Sequence, residues 1–380
     1  MSHRPAIVVR ALRTPMTRLD GPLCDVSAEE LAATVITALL RDVDVPVDDV
    51  LLATAAGPGG NPARRAALAA GLDPSVPGLT LDRQCGGGLD AVTLACRLVE
   101  AGAGRLYVAG GTESASTSPL RALARPGERF FPRHRFSAGG WDDPGMAESA
   151  EIVAREHGVS RERQDAFAAR SHRLAHRAVA DGRFRAEITP VMIDGHPVDT
   201  DDCPRPTLTA VRIARVPPLF PGGTVTAASS SRIADGAAAV LVAAPEVARA
   251  LGDRGLVHID SAVAGVDPRE CGMGAVPAVR RLRHRDPAFR PERAGHVAFT
   301  EAFASQTLAT LDALGMDAEP VNPLGGAIGL GHPWGASGAV QVVRLFADMT
   351  AAPGDGEGLA MAAIAGGMGV AARFGTWAAS

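Results

Sequence analysis

Cys85 and His332 are the residues whose types and surroundings point most directly to chemistry. Cys85 lies in Leu81-Asp82-Arg83-Gln84-Cys85-Gly86-Gly87-Gly88-Leu89, and His332 lies in Gly329-Leu330-Gly331-His332-Pro333-Trp334-Gly335-Ala336-Ser337-Gly338. Each run follows an apolar strand-like stretch and precedes a helix-like one, Leu89 to Leu98 in the first case and Ala339 to Phe346 in the second. A strand-turn-helix junction aims one side chain and several free backbone N–H groups at the same point. A thiol placed there is expected to meet the positive end of a helix, which lowers its pKa, and to be activated by an imidazole from the other run. The glycine triplet after Cys85 is expected to clear side chains from the path of a ligand. Cys24, Cys96, Cys203 and Cys271, taken singly, read instead as small buried hydrophobes.

The elements that must position these loops repeat. The Cys85 loop leads into a helix and then a strand, Arg105-Leu106-Tyr107-Val108-Ala109, that ends in Gly110-Gly111; the His332 loop leads into a helix and then a strand, Leu359 to Ile364, that ends in Gly366-Gly367. Two α/β units related by a pseudo-twofold bring equivalent loops together at their interface, and strand ends at such a junction are where α/β proteins place ligands. Between the halves, the stretch from about Thr117 to Gly222 is Arg- and Pro-rich at first, then reads as an amphipathic helix from Ala147 to Arg183, then as a Pro-punctuated loop. The expected division is residues 1–116 with 224–251 as a first half, 117–223 as an inserted loop domain, and 252–380 as a second half.

Composition limits the function classes. A chain of 380 residues with 46% hydrophobic and 21% charged residues supports two or three core units and well-buried sheets, which excludes a disordered scaffold. The formal net charge of −4 supplies no global basic field for nucleic acid. Five scattered cysteines without metal-ligand spacing fit reduced thiols, no metal site and a cytoplasmic location. Met1-Ser2-His3-Arg4-Pro5 runs into a strand-like segment without a signal-peptide core, and the apolar run from Leu359 to Ala372 is glycine-broken and too short to span a bilayer.

The chain resembles the thiolase family from end to end. The matching segments, in family order, begin with Ile7 to Pro15, Asn61-Pro62-Ala63-Arg64-Arg65-Ala66-Ala67-Leu68, the Cys85 loop and Val108-Ala109-Gly110-Gly111-Thr112-Glu113-Ser114. Met146 to Glu151, Ser160-Arg161 through Gln164-Asp165, Ser171-His172, Gly223 to Ala227, Asp235 to Ala239, Glu301-Ala302-Phe303-Ala304, and Asn322 to Gly338 follow. So many ordered matches are specific where one glycine run is weak. The resemblance implies an α/β thiolase fold, with two pseudo-repeated halves in a layered αβαβα core and an inserted loop domain over the active site. It also implies an acyltransferase that uses an acyl-CoA or acyl carrier protein thioester as substrate, needs no other cofactor, and assembles as a homodimer or homotetramer.

Carried over by resemblance, Cys85 attacks a thioester carbonyl, His332 removes the thiol proton, and the backbone N–H groups of Cys85 and Ala365 form an oxyanion hole. Met146, Ser231, Ala302 and Phe303 fall on positions that contact the pantetheine arm. The chain holds no lysine, so a CoA phosphate would be met by arginines such as Arg212, Arg215 or Arg232. The departures from the family pattern matter more. Ala363 stands where thiolases carry a second cysteine, the acid/base for the α-carbon of the incoming thioester. Thr300 replaces the Asn or His that holds a catalytic water. Asp82 stands for Asn, Gly87 for Ser, Ser229 for Asn, Arg232 for Gly, Ala234 for Asn, Cys271 for Met and Trp334 for Leu. A general acid/base contributes ~100- to 10,000-fold, so ordinary thiolysis is expected to be impaired unless another group substitutes.

Three functions are compatible with this. In the first, Cys85 loads an acyl group and passes it to an acceptor needing no carbon deprotonation, such as an amine, alcohol or water, or condenses decarboxylatively with a malonyl-type thioester. The second is a working acetyl-CoA acetyltransferase or 3-ketoacyl-CoA thiolase in which Cys271, Glu301 or a water replaces the lost base. The third is a catalytically silent thiolase-like partner subunit, against which the retention of both Cys85 and His332 argues.

Overall fold

In a computed structural model, the structure describes residues 4–122, 130, 133–351 and 356–379. The Met1 to His3 start and part of the Arg- and Pro-rich opening of the insertion lie outside the described residues. The first half runs β1 (Ile7–Arg13), β2 (Thr17–Arg18), α1 (Ala28–Leu39), β3 (Asp49–Ala53), α2 (Pro62–Ala69), β4 (Gly78–Leu81), α3 (Gly87–Glu100) and β5 (Leu106–Glu113). The insertion carries α4 (Met146–Glu156), α5 (Arg161–Ala180), the hairpin β6 (Val191–Ile193) and β7 (His196–Val198), and α6 (Ala210–Ile213). β8 (Ala234–Ala243) and α7 (Pro245–Leu251) complete the first half. The second half comprises β9 (Arg254–Gly265), α8 (Ala275–Arg285), β10 (His296–Phe299), α9 (Ala304–Leu314), α10 (Ala327–Leu330), α11 (Trp334–Ala351), β11 (Gly358–Ile364) and β12 (Met368–Ala378).

Apart from the β6–β7 hairpin, the strands of the described residues form one sheet in the order β10-β11-β12-β9-β1-β8-β5-β3-β4, with β2 beside β8. Its two sides repeat each other. β3 pairs parallel with β5, β5 antiparallel with β8, and β8 antiparallel with β1. β10 likewise pairs parallel with β11, β11 antiparallel with β12, and β12 antiparallel with β9. The join is short, with Ile7 opposite Val257 and Val8 opposite Leu256.

Side-chain alternation along the strands builds the layers. In β8, Ala238, Val240 and Val242 face a central cluster that holds Leu89, Val92 and Val99 of α3 with Val342 and Val343 of α11. Ala237, Ala239 and Leu241 face the other way, onto α1 and α2. In β11, Ala360 and Ala362 face the centre, while Leu359 and Met361 pack on Ala278 and Leu282 of α8. The result is helix, one end of the sheet, helix, the other end of the sheet, helix, with strands apolar on both faces because both are covered. Full burial of each Leu or Val contributes about 1.5–3 kcal/mol.

The helices after the two glycine-rich loops start earlier and end later than their apolar cores suggest, Gly87–Glu100 and Trp334–Ala351. The single helix expected from Ala147 to Arg183 is two. α4 ends at His157, Gly158 takes φ 63°, and the Ser160 side chain caps α5 by accepting from Arg163 N. The amphipathic period runs through the break, but a left-handed glycine followed by a serine cap ends one helix and starts another. The insertion is held to the first strand by Arg13, fully buried, which donates to Glu187 at 2.8 Å and to Asp201 at 2.7 and 2.8 Å.

Candidate active site

Cys85 sits in a 3-10 turn, Gln84–Gly86, between β4 and α3. The turn is sharp: Gln84 takes φ 44°, in the left-handed region, and both its backbone N and side-chain Nε2 donate to Asp82 Oδ1 at 2.8 Å. His332 precedes the first turn of α11, its N–H donating to the Arg232 carbonyl at 2.8 Å. The packing of α3 on α11 carries the two loops together, and His332 Nε2 lies 3.2 Å from Cys85 Sγ. On the far side of the ring, Nδ1 lies 2.6 Å from Ser337 Oγ, one turn into α11. Buried Glu113 ties the floor of the site. It accepts from Thr54 Oγ1 and from the N–H groups of Ala55, Ala56 and Gly335 at 2.8–3.0 Å, linking the end of β5 to the start of α11.

Burial governs the electrostatics. It pushes the Cys85 thiol up to about 12, with the charge of Cys271 adding to the rise and the N–H groups of Cys85 and Ala365 acting against it. His332, 4% exposed, is pushed down to about 4 by burial. Burial thus acts opposite to the lowering expected from the helix N-terminus, and favours a neutral thiol beside a neutral imidazole. Both N–H groups are directed at the Cys85 sulfur.

The glycine triplet also has a different cause from the one expected. A Cβ on Gly86 would lie 2.4 Å from Ile364 Cδ1, one on Gly87 2.6 Å from Ala53 Cβ, and one on Gly88 2.7 Å from Ala339 N. All three positions are filled by protein, so the glycines serve close packing of α3 rather than ligand access.

Cys85 opens onto an apolar cleft of about 360 Å³. Met146, Ser149 and Ala150 of α4 form one wall, Cys271 and Gly272 another, Ala302, Phe303 and Gln306 a third, and Ala363, Ile364 and Ala365 the fourth. Of the residues singled out in the sequence, this brings together Cys85, His332, Met146, Ala302, Phe303, Cys271, Ala363 and Ala365. Ser231 adjoins the wall through its backbone N–H, which donates to Ala302 O at 2.9 Å. Arg232 contributes the carbonyl that holds His332. Its guanidinium bears on the insertion, where burial, then the charge of Arg232, lower Arg205 to about 10. Trp334, half-buried at the start of α11, is not among the residues lining the cleft.

Thr300 and Glu301 are placed elsewhere. Thr300 Oγ1 accepts from Gln341 Nε2 at 2.6 Å and lines a separate cavity of about 410 Å³ with Ser337 and Gln341. Glu301, fully buried, accepts from Asn322 Nδ2 at 2.7 Å and Ser171 Oγ at 2.6 Å and is not among the residues lining the cleft. Among the described residues there is no group of three or more His, Cys, Asp or Glu that could hold a metal ion, and no helix long and apolar enough to cross a membrane.

The family model for the thiolase N-terminal domain matches residues 6–246, and that for the thiolase C-terminal domain matches residues 256–375. The chain belongs to the thiolase family. The Staphylococcus haemolyticus protein VraB, which bears the name acetyl-CoA C-acetyltransferase, is 40% identical over 98% of this chain and 99% of its own. A VraB of the same description from Staphylococcus aureus is 40% identical over 94% of this chain and 98% of its own. The crystal structure of the Bacillus anthracis acetyl-CoA acetyltransferase superposes with a TM-score of 0.90 at 32% identity, covering 99% of both chains. This thiolase is an acyltransferase of the layered α/β fold expected from its sequence.

Three residues of the thiolase site carried no assigned role in the sequence. Ser337 was part of the His332 run without a partner. Ser149 lies three residues after Met146 and Gln306 three after Phe303, the helical spacing that puts each pair on one face. That spacing was the available signal.

Proposed function

We propose that this thiolase forms an acyl-enzyme on Cys85 from a CoA or carrier-protein thioester and passes the acyl group to an acceptor. The observation that carries this is the 3.2 Å contact between Cys85 Sγ and His332 Nε2 beneath two inward N–H groups. With Nδ1 donating to Ser337, Nε2 presents its lone pair to the thiol proton. As sulfur attacks the carbonyl, that proton moves to Nε2 and then to the departing CoA thiolate. The N–H groups of Cys85 and Ala365 receive the oxyanion, each contributing ~3 kcal/mol to the transition state. A neutral pair suits this route, because charge separates only when substrate has displaced water.

Ala363 supports an acceptor that brings its own nucleophile: an amine, alcohol, water, or the carbanion released by decarboxylation of a malonyl-type thioester. A methyl group takes no proton. One observation favours a second function, a working acetyl-CoA acetyltransferase or 3-ketoacyl-CoA thiolase, namely the Cys271 thiol in the cleft. The names of the relatives support the same direction. A silent subunit has no use for a thiol in contact with an imidazole. Mixing the protein with acetyl-CoA in the absence of any acceptor tests the first stage. One equivalent of free CoA per chain and an acetyl mass increment are expected, with neither in Cys85→Ser; loading that survives in Cys85→Ser ends the proposal.

A further inference from the structure

Cys271 and Gln306 share the cleft with Cys85 and Ala363. Gln306 is 2% exposed and its Oε1 is engaged at the start of α9, accepting from Phe303 N at 3.4 Å. The Nε2 at the other end of the amide is buried and has no hydrogen-bond partner. A buried amide donor without a partner costs about 1–3 kcal/mol, which a ligand oxygen would recover. Cys271 lies 3.3 Å through Sγ from Ser149 Oγ, and the N–H groups of Gly272 and Cys271 also bear on its sulfur. The Ser149 hydroxyl donates to the Arg269 carbonyl at 2.8 Å, which leaves its oxygen free to accept from the Cys271 thiol, and the two N–H groups act against a burial that raises the Cys271 pKa. Ser149 and Gln306 are the only other polar side chains among the described residues lining the cleft apart from Cys85.

We propose that Cys271 and Gln306 form the acceptor half of the site, with Cys271 taking the α-proton of an incoming acyl thioester and Gln306 Nε2 donating to that thioester's carbonyl oxygen. This rests on the Cys85 acyl-enzyme. The Cys271 thiolate, formed by loss of its proton to water, accepts the proton from the α-carbon. The carbon electron pair, held as an enolate against Gln306 Nε2, attacks the acyl carbon on Cys85 and forms the carbon–carbon bond. The tetrahedral adduct collapses, breaking the bond to sulfur. The Cys85 thiolate then takes the proton from Cys271, and the Cys271 thiolate either begins the next turnover or recovers from water the proton it first gave up, which restores both thiols. One acyl-enzyme and one acyl thioester thus give one 3-ketoacyl thioester. Burial raises the Cys271 pKa, which makes its thiolate the stronger base. A thiol at 271 and an amide at 306 thereby supply what Ala363 and the engaged hydroxyl of Thr300 do not.

Two readouts separate this from the acyl-enzyme itself: acetyl loading of Cys85 by intact mass, and deuterium entry at the α-carbon of acetyl-CoA in heavy water together with acetoacetyl-CoA formation. Cys271→Ala is expected to form the Cys85 adduct while exchange and condensation fall on the order of 100-fold or more. Gln306→Glu, which keeps the oxygen used at the start of α9 and removes the donor, is expected to load and to lose roughly 10- to 100-fold in exchange. Adding Ala363→Cys to Cys271→Ala should restore exchange, showing that a base and not the fold was lost. Exchange and condensation unchanged in Cys271→Ala overturn the proposal. A native protein that loads Cys85 but neither exchanges nor condenses also overturns it, and leaves the acyl-enzyme with a different acceptor. Absence of loading in the native protein ends both.

Discussion

His332 is suited to act as a neutral base because it is buried between Cys85 and Ser337, and the same burial makes it acid-sensitive. Its pKa is held near 4 against an ordinary value of 6.5. The unfolded chain therefore takes up a proton at this position as pH falls through 6.5, while the folded chain refuses it until about 4. The stability at stake is present above 6.5 and is lost on the way down to 4, about 3 kcal/mol in all. Denaturant titrations between pH 7 and 4.5 should show a steeper loss in the native protein than in His332→Asn; equal slopes would contradict the buried, neutral imidazole. At this scale the sequence singled out the two residues that the fold brings into contact, because the glycine runs around Cys85 and His332 are unusual. It did not show their protonation. The thiol shift is set by desolvation and by Cys271, a residue almost half the chain away, and such burial has no local signature.

Helices α3 and α11 position the pair, and their contact is narrow because glycine lies at it. Gly88 approaches Ala339 N and Gly335 O closely enough that an added Cβ would sit 2.7 and 2.8 Å from them. Those atoms are backbone and cannot swing aside. Gly88→Ala should therefore cost about 1–3 kcal/mol, lower the melting temperature, and slow Cys85 loading, because the loop rides on the displaced helix. A variant as stable as the native protein would contradict this packing. The elements themselves were largely legible: the loop–helix–strand–Gly-Gly repeat predicts α3 with β5 and α11 with β11. The meaning of the glycine triplet was not, since a run that admits a ligand and one that admits another helix look alike until Ile364, Ala53 and Ala339 are in place. The break at Gly158 was missed for a similar reason. The apolar period continues across it, and the turn is set by one glycine and one serine.

The whole molecule brings Cys85 from its first half and His332 from its second into contact beside one cleft, with α4 of the insertion as one wall. Duplication and layering follow from the sequence because strands covered on both faces are apolar throughout, as in β8 and β11. The single continuous sheet does not follow, for β1 and β9 meet through only two residue pairs. Nor does the seat of Thr300, which the order of motifs places beside the reaction but which the fold turns toward Gln341 and a separate cavity. The central claim is that the duplicated architecture exists to make an acyl-enzyme on Cys85. Its most direct test is proteolytic mapping, by mass spectrometry, of protein quenched in acid after mixing with acetyl-CoA. The account predicts a single acetyl group on the peptide carrying Cys85, absent from Cys85→Ser and retained in Cys271→Ala. An acetyl group on Cys271, or one that persists when Cys85 is replaced, would contradict it.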